Sequence, residues 1–80
     1  MAAKAYILIE VAVGSTAEVT GKLRALPGVL EVDSLSGPYD IIAVVTGKDL
    51  SAVGALVTED IHSVHGIRRT ITCLCIGTME

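Results

Sequence analysis

The residues best placed to do chemistry are Gly37-Pro38-Tyr39-Asp40. Asp40 opens the run Ile41-Ile42-Ala43-Val44-Val45-Thr46, a strand pattern that is apolar on both faces. A carboxylate buried there without a partner would be costly. Asp40 therefore calls for a solvated rim, a hydrogen-bonded turn, or a ligand bearing positive charge. In the third case the carboxylate suits an α-ammonium group. The amides of the turn, with Gly37 and Tyr39, suit an α-carboxylate. The competing reading makes Gly37-Pro38 a plain hairpin turn capped by Asp40. Thr70 and Thr72 lie two apart on one strand face and offer hydroxyls to a ligand, although threonine is also simply a good strand residue.

Other reactive side chains read as bland. His62 and His65 are three apart at the end of a helix, and with Cys73 and Cys75 they would make a metal set only if the spacing matched a known one. It does not. No metal and no cofactor is expected. Cys73 and Cys75 sit two apart on a strand, where a disulfide is geometrically poor. They read as reduced packing residues, without the electropositive surroundings that activate a thiol.

The elements that must position these groups follow from period and punctuation. Ala5 to Val13 reads as a buried strand ending at Gly14. Ser15 and Glu18 match a capping box, and Val19, Leu23 and Leu26 form a helical stripe stopped by Pro27-Gly28. Val29 to Ser34 alternates in Glu31 and Asp33, as an edge strand does, and Tyr39 to Thr46 returns as a third strand. Asp49 is a plausible N-cap for a second helix carrying Leu50, Val53, Val57, Ile61 and Val64, with Gly66 as its stop. Ile67 to Ile76 completes the order β-α-β-β-α-β, a ferredoxin-like α+β sandwich with one four-stranded antiparallel sheet.

Two helices cover one face of such a sheet. The strands nevertheless carry aliphatics on both: Ile7, Ile9 and Val11 against Tyr6 and Leu8, and Ile41, Ala43 and Val45 against Ile42 and Val44. Each large aliphatic left in water forgoes roughly 1.5–3 kcal/mol of burial. The second face is therefore expected to be covered by another copy of the chain. Composition agrees, with 51% of 80 residues apolar and only 19% charged. That is more aliphatic surface than a small isolated domain hides. Residues 1–80 are read as a single domain. There is no apolar run long enough to span a membrane and no signal-peptide pattern, so a cytoplasmic location is expected. A net charge of −3, six Lys and Arg, and no Phe or Trp argue against direct nucleic-acid binding.

In their order and spacing, Leu26-Pro27-Gly28-Val29, Ser36-Gly37-Pro38-Tyr39-Asp40, Asp49-Leu50 and Gly66-Ile67-Arg68-Arg69-Thr70-Ile71-Thr72 resemble one family over essentially the whole chain. The chain is similar to the RAM (ligand-binding and oligomerisation) domain of the Lrp/AsnC transcription regulators, and within it to stand-alone members without the helix-turn-helix. That resemblance implies dimers with sheets face to face and larger rings, octamer or decamer, with a free amino acid effector in the cleft between dimers. It implies Gly37, Tyr39, Asp40, Thr70 and Thr72 as ligand contacts, and full-length Lrp/AsnC regulators as partners. The chain is expected not to be an enzyme. The alternative is a small dimeric ferredoxin-like enzyme of the cofactor-free oxygenase or isomerase type, which needs convergent acid, base or aromatic groups in an enclosed cleft.

Overall fold

Nine residues of alternating accessibility, Ala3–Val11, form β1 at the centre of the sheet. The computed structural model describes residues 2–77. Helix α1 (Thr16–Arg24) leads to β2 (Val29–Ser34) and β3 (Ile41–Gly47). Helix α2 (Leu50–Ala55) follows and continues directly into a π-helical stretch, Leu56–Ile61, before β4 (Ile67–Leu74). The sheet order is β2-β3-β1-β4, antiparallel throughout, so β2 and β4 are its edges. This is the ferredoxin-like order expected from the sequence.

Register fixes what each face carries. Ile7 stands opposite Ala43 and Thr72, and Ile9 opposite Ile41 and Thr70. These residues look toward the helices, where Val19 and Leu23 of α1, Val53 of α2, and Leu56, Val57 and Ile61 close the core. On the other face the rows Ile42–Leu8–Ile71 and Val44–Tyr6–Cys73 build an apolar centre. Glu31 and Asp33 flank it on β2, and the directly opposed pair Glu10 and Arg69 flanks it at one end. No helix covers this side. Ile71 and Tyr6 are both more than a third exposed.

Three glycines take the left-handed region, where a side chain is strained: Gly14 (φ +83°), and Gly28 (φ +94°) and Gly66 (φ +103°), which stand immediately before β2 and β4. A Cβ on Gly66 would also stand 3.1 Å from Ser15 Cβ and from Val19 Cγ2. The α2–β4 connection thus packs against the start of α1.

The structure corrects several expectations in detail. Ser15 does precede α1, but its side chain makes no capping bond, and Glu18 turns instead toward Lys22 at 3.8 Å. The chain enters α1 with Ser15 at φ −100° and ψ 0°, outside the extended conformation that aims an N-cap side chain at its helix. Asp49 does cap α2, its Oδ1 accepting from Ala52 N–H at 2.8 Å. The second helix is not α-helical throughout. From Leu56 it widens, with His62 N–H donating to Val57 O at 3.0 Å, so that the neighbours Leu56 and Val57 are both buried together with Ile61. Cys73 and Cys75 are free thiols, as expected, but both are exposed in the single chain and pack against no core.

Candidate functional site

One end of the sheet gathers the β2–β3 loop, the last residues of β1 and the first of β4. The ladder between β1 and β4 slips at Glu10/Val11, where Glu10 faces Arg69 but Val11 faces Ile67. A bulge of this kind frees a backbone donor. Asp40 supplies the acceptor: its Oδ2 takes the Val11 N–H at 2.9 Å. Its own N–H donates to Ile9 O at 2.9 Å, and its carbonyl accepts from Leu35 N–H at 2.8 Å. Of the three environments open to this carboxylate, a hydrogen-bonded turn is therefore present. Among the described residues its Oδ1 has no partner.

Tyr39 is half-buried beside it. Arg69 Nη2 donates to Tyr39 Oη at 3.0 Å, and the guanidinium lies 5.6 Å from the ring centroid, within cation–π range. Arg69 thus straps the loop to β4 across the end of β1. Gly37 is exposed, its φ is not positive, and a Cβ there would meet nothing within 4 Å. The turn does not depend on glycine at that position.

Thr70 and Thr72 lie on the helix-facing side of β4, as their shared period required. Thr70 Oγ1 is 2.7 Å from His62 Nε2, which ties the end of the π-helical stretch to the strand. Ile41 and Thr70 both stand opposite Ile9, on the two sides of β1. Two strand spacings of about 4.8 Å separate them by roughly 10 Å. One chain therefore brings Tyr39 and Asp40 together, with Thr70 one strand removed and Thr72 farther along β4. Beside the start of β4 a cavity of about 440 Å³ is lined by His62, Ile67, Arg68, Arg69 and Thr70.

Sequence reasoning missed three partners: Val11 N–H for Asp40, Arg69 for Tyr39, and His62 for Thr70. The strand order places Arg69 near the loop, but only the bulge at Glu10/Val11 sets the register that lets the pairs meet. No group of three or more His, Cys, Asp or Glu side chains able to hold a metal occurs among the described residues.

A family model, the Lrp/AsnC ligand binding domain, matches residues 4–80. The chain belongs to the Lrp/AsnC ligand-binding domain family. The family is described by the binding of a ligand. The described residues of this domain contain one βαββαβ unit and no helix-turn-helix. Among solved structures it is similar to TTHA0845 from Thermus thermophilus, at 33% identity and TM-score 0.93 over 98% of both chains. A transcriptional regulator of Neisseria meningitidis, NMB0573 in complex with L-Met, shares the fold at 20% identity and TM-score 0.86. The Lrp/AsnC domain spans 98% of its own length there and 52% of the regulator's. Among curated proteins it is 39% identical over 64 residues to the homocitrate synthase of Sulfurisphaera tokodaii, 80% of this chain but 14% of that enzyme. The chain thus corresponds to a small part of the curated relatives it matches. No helix of the described residues is long and apolar enough to cross a membrane.

Proposed function

We propose that this chain is an amino-acid sensor: an oligomeric module that binds a free amino acid at the β2–β3 loop and passes the signal to a partner. The match of residues 4–80 to a ligand-binding domain carries this reading. Asp40 Oδ1 anchors the ammonium group while Oδ2 stays on Val11, and Gly37 and Tyr39 frame the loop. Thr70 and Thr72 contribute hydroxyls, from this copy or from a neighbour. The fold-sharing Neisseria regulator holds L-Met, which supports an α-amino acid as the ligand class. Dimers form through the uncovered sheet face around Leu8 and Ile42, where Tyr6 and Ile71 are each more than a third exposed. Dimers then join into an octamer or decamer with the ligand between them.

The partner on the first reading is a full-length Lrp/AsnC regulator, met by mixed assembly, and the output is transcription. A second reading makes the partner a biosynthetic enzyme. The 39% identity to part of a homocitrate synthase favours it, because there a related module sits within an enzyme chain. A thermal-shift screen of the proteinogenic amino acids tests the sensing function common to both. A ligand bound only by the folded assembly raises its melting temperature by mass action. A flat response to every amino acid would sink the proposal.

A further inference from the structure

Strand β4 is an edge, and α2 packs over β3 and β1 instead of over it. Between α2 and β4 this leaves an open groove of about 300 Å³, lined by Leu50, Val53, Gly54, Val57, Thr72 and Leu74. Among the described residues no charged side chain lines it. Leu50 is 60% exposed and Leu74 47%, so the groove exposes aliphatic surface that no other described residue covers.

Gly54 shows that the space is unused by the fold. Glycine inside a helix destabilises it relative to alanine, by its freedom in the unfolded chain. Here φ is not positive, and a Cβ would meet nothing within 4 Å. Neither backbone strain nor crowding requires the missing side chain. Gly21 is open in the same way, but on the solvent side of α1 and away from the groove.

The same strand face changes character along its length. At its start, Thr70 borders the cavity that holds Arg68, Arg69 and His62. Two residues on, about 7 Å away at strand rise, Thr72 borders the apolar groove. A ligand lying along β4 would meet guanidinium groups at one end and, at the other, walls that are mainly aliphatic and uncharged, with Thr58 and Thr72 as their polar side chains. We infer that the effector is a small carboxylate with an uncharged aliphatic or thioether tail, its carboxylate toward Arg68 and Thr70 of one copy, its tail in that copy's α2–β4 groove and, for an amino acid, its ammonium on Asp40 of a neighbouring copy. This rests on the proposed sensing function, under which the molecule is an apolar amino acid. The 2-oxo acid of the same skeleton offers the same two ends.

Titration calorimetry on the 80-residue chain decides it, using Leu, Ile, Val and Met against Lys, Glu, Asn and Gln, with 4-methyl-2-oxopentanoate as a further arm. Binding by the apolar set alone, weakened at least tenfold by Gly54→Leu, is the expected result. If Gly54→Leu fails to fold, Leu50→Glu at the exposed rim takes its place, with the same loss expected. Binding of the 2-oxo acid alone would uphold the groove and overturn the amino-acid reading. Binding of a charged or amide amino acid, untouched by either variant, would overturn the groove and leave the sensing function standing. Dissociation of the oligomer by Gly54→Leu would make the groove a contact between chains, and the inference would fall. No binding of any kind would remove both.

Discussion

Asp40 holds the Val11 N–H and is proposed to hold a ligand's ammonium group, two roles that a single substitution to alanine confounds. Read from the sequence, the residue sits at a rim, and its removal is expected to spare the fold. The structure gives it a place in the fold as acceptor for the Val11 N–H at the bulge. Asp40→Ala leaves that donor unpaired and should cost about 1–3 kcal/mol, read as a lower urea midpoint. Asp40→Asn keeps an acceptor in place while removing the charge. Its urea midpoint should stay close to the parent's, whereas the affinity for the best amino acid from the screen should fall roughly ten- to a hundredfold, the worth of a charge-assisted hydrogen bond. Equal affinity in Asp40→Asn and the parent would reduce the residue to its structural role. At Arg69, substitution by methionine removes the bond to Tyr39 Oη and leaves the β4 backbone intact. Amide exchange in residues 35–40 should accelerate while that of β1 does not.

The helices divide into termini that use their side chains and termini that do not. Asp49→Ala should lose about 1 kcal/mol with the bond to Ala52 N–H. Ser15→Ala should change little, because Ser15 makes no such bond. Gly66→Ala should be the most damaging of the three, combining a positive φ with two contacts at 3.1 Å. Thermal unfolding of the three variants ranks them, and a Ser15→Ala loss equal to that of Asp49→Ala would contradict the account. These elements also mark where the sequence was legible. The period-2 strands, the Pro27-Gly28 turn and the Asp49 cap are local signals, and each appears in the structure, whereas the second helical stretch ends at Ile61, short of the stop expected at Gly66. The failed Ser15 cap goes with a helical rather than extended backbone at Ser15, and the π-helical widening goes with the joint burial of Leu56, Val57 and Ile61. The same limit applied at the candidate site. Tyr39 and Asp40 were visible as chemistry in a turn, but their partners Arg69 and Val11 come from other strands. Those pairings depend on a one-residue slip that no local pattern encodes.

At the scale of the whole molecule the sheet has one face closed by helices and one left open. Leu8 lies at the centre of the open face, between Ile42 and Ile71. Leu8→Asp should therefore lower the mass seen by light scattering to that of a single chain. Ile7→Asp, one residue away but fully buried beneath the helices, should abolish folding. A parent protein that is already monomeric at micromolar concentration would contradict the face-to-face dimer. With a net charge of −3, the chain alone should not retard duplex DNA at physiological salt, and a salt-sensitive shift at sub-micromolar protein would refute this. The buried core is built wholly from aliphatic residues, and the chain has two tyrosines and no tryptophan. Tyr6 lies on the open face and Tyr39 on the β2–β3 loop. The near-ultraviolet spectrum of this protein consequently has two chromophores, one for each surface at which it is proposed to make a contact. With Tyr39→Phe the remaining emission follows assembly by dilution, and with Tyr6→Phe it follows occupancy of the loop, so the two equilibria can be watched separately without attaching a dye.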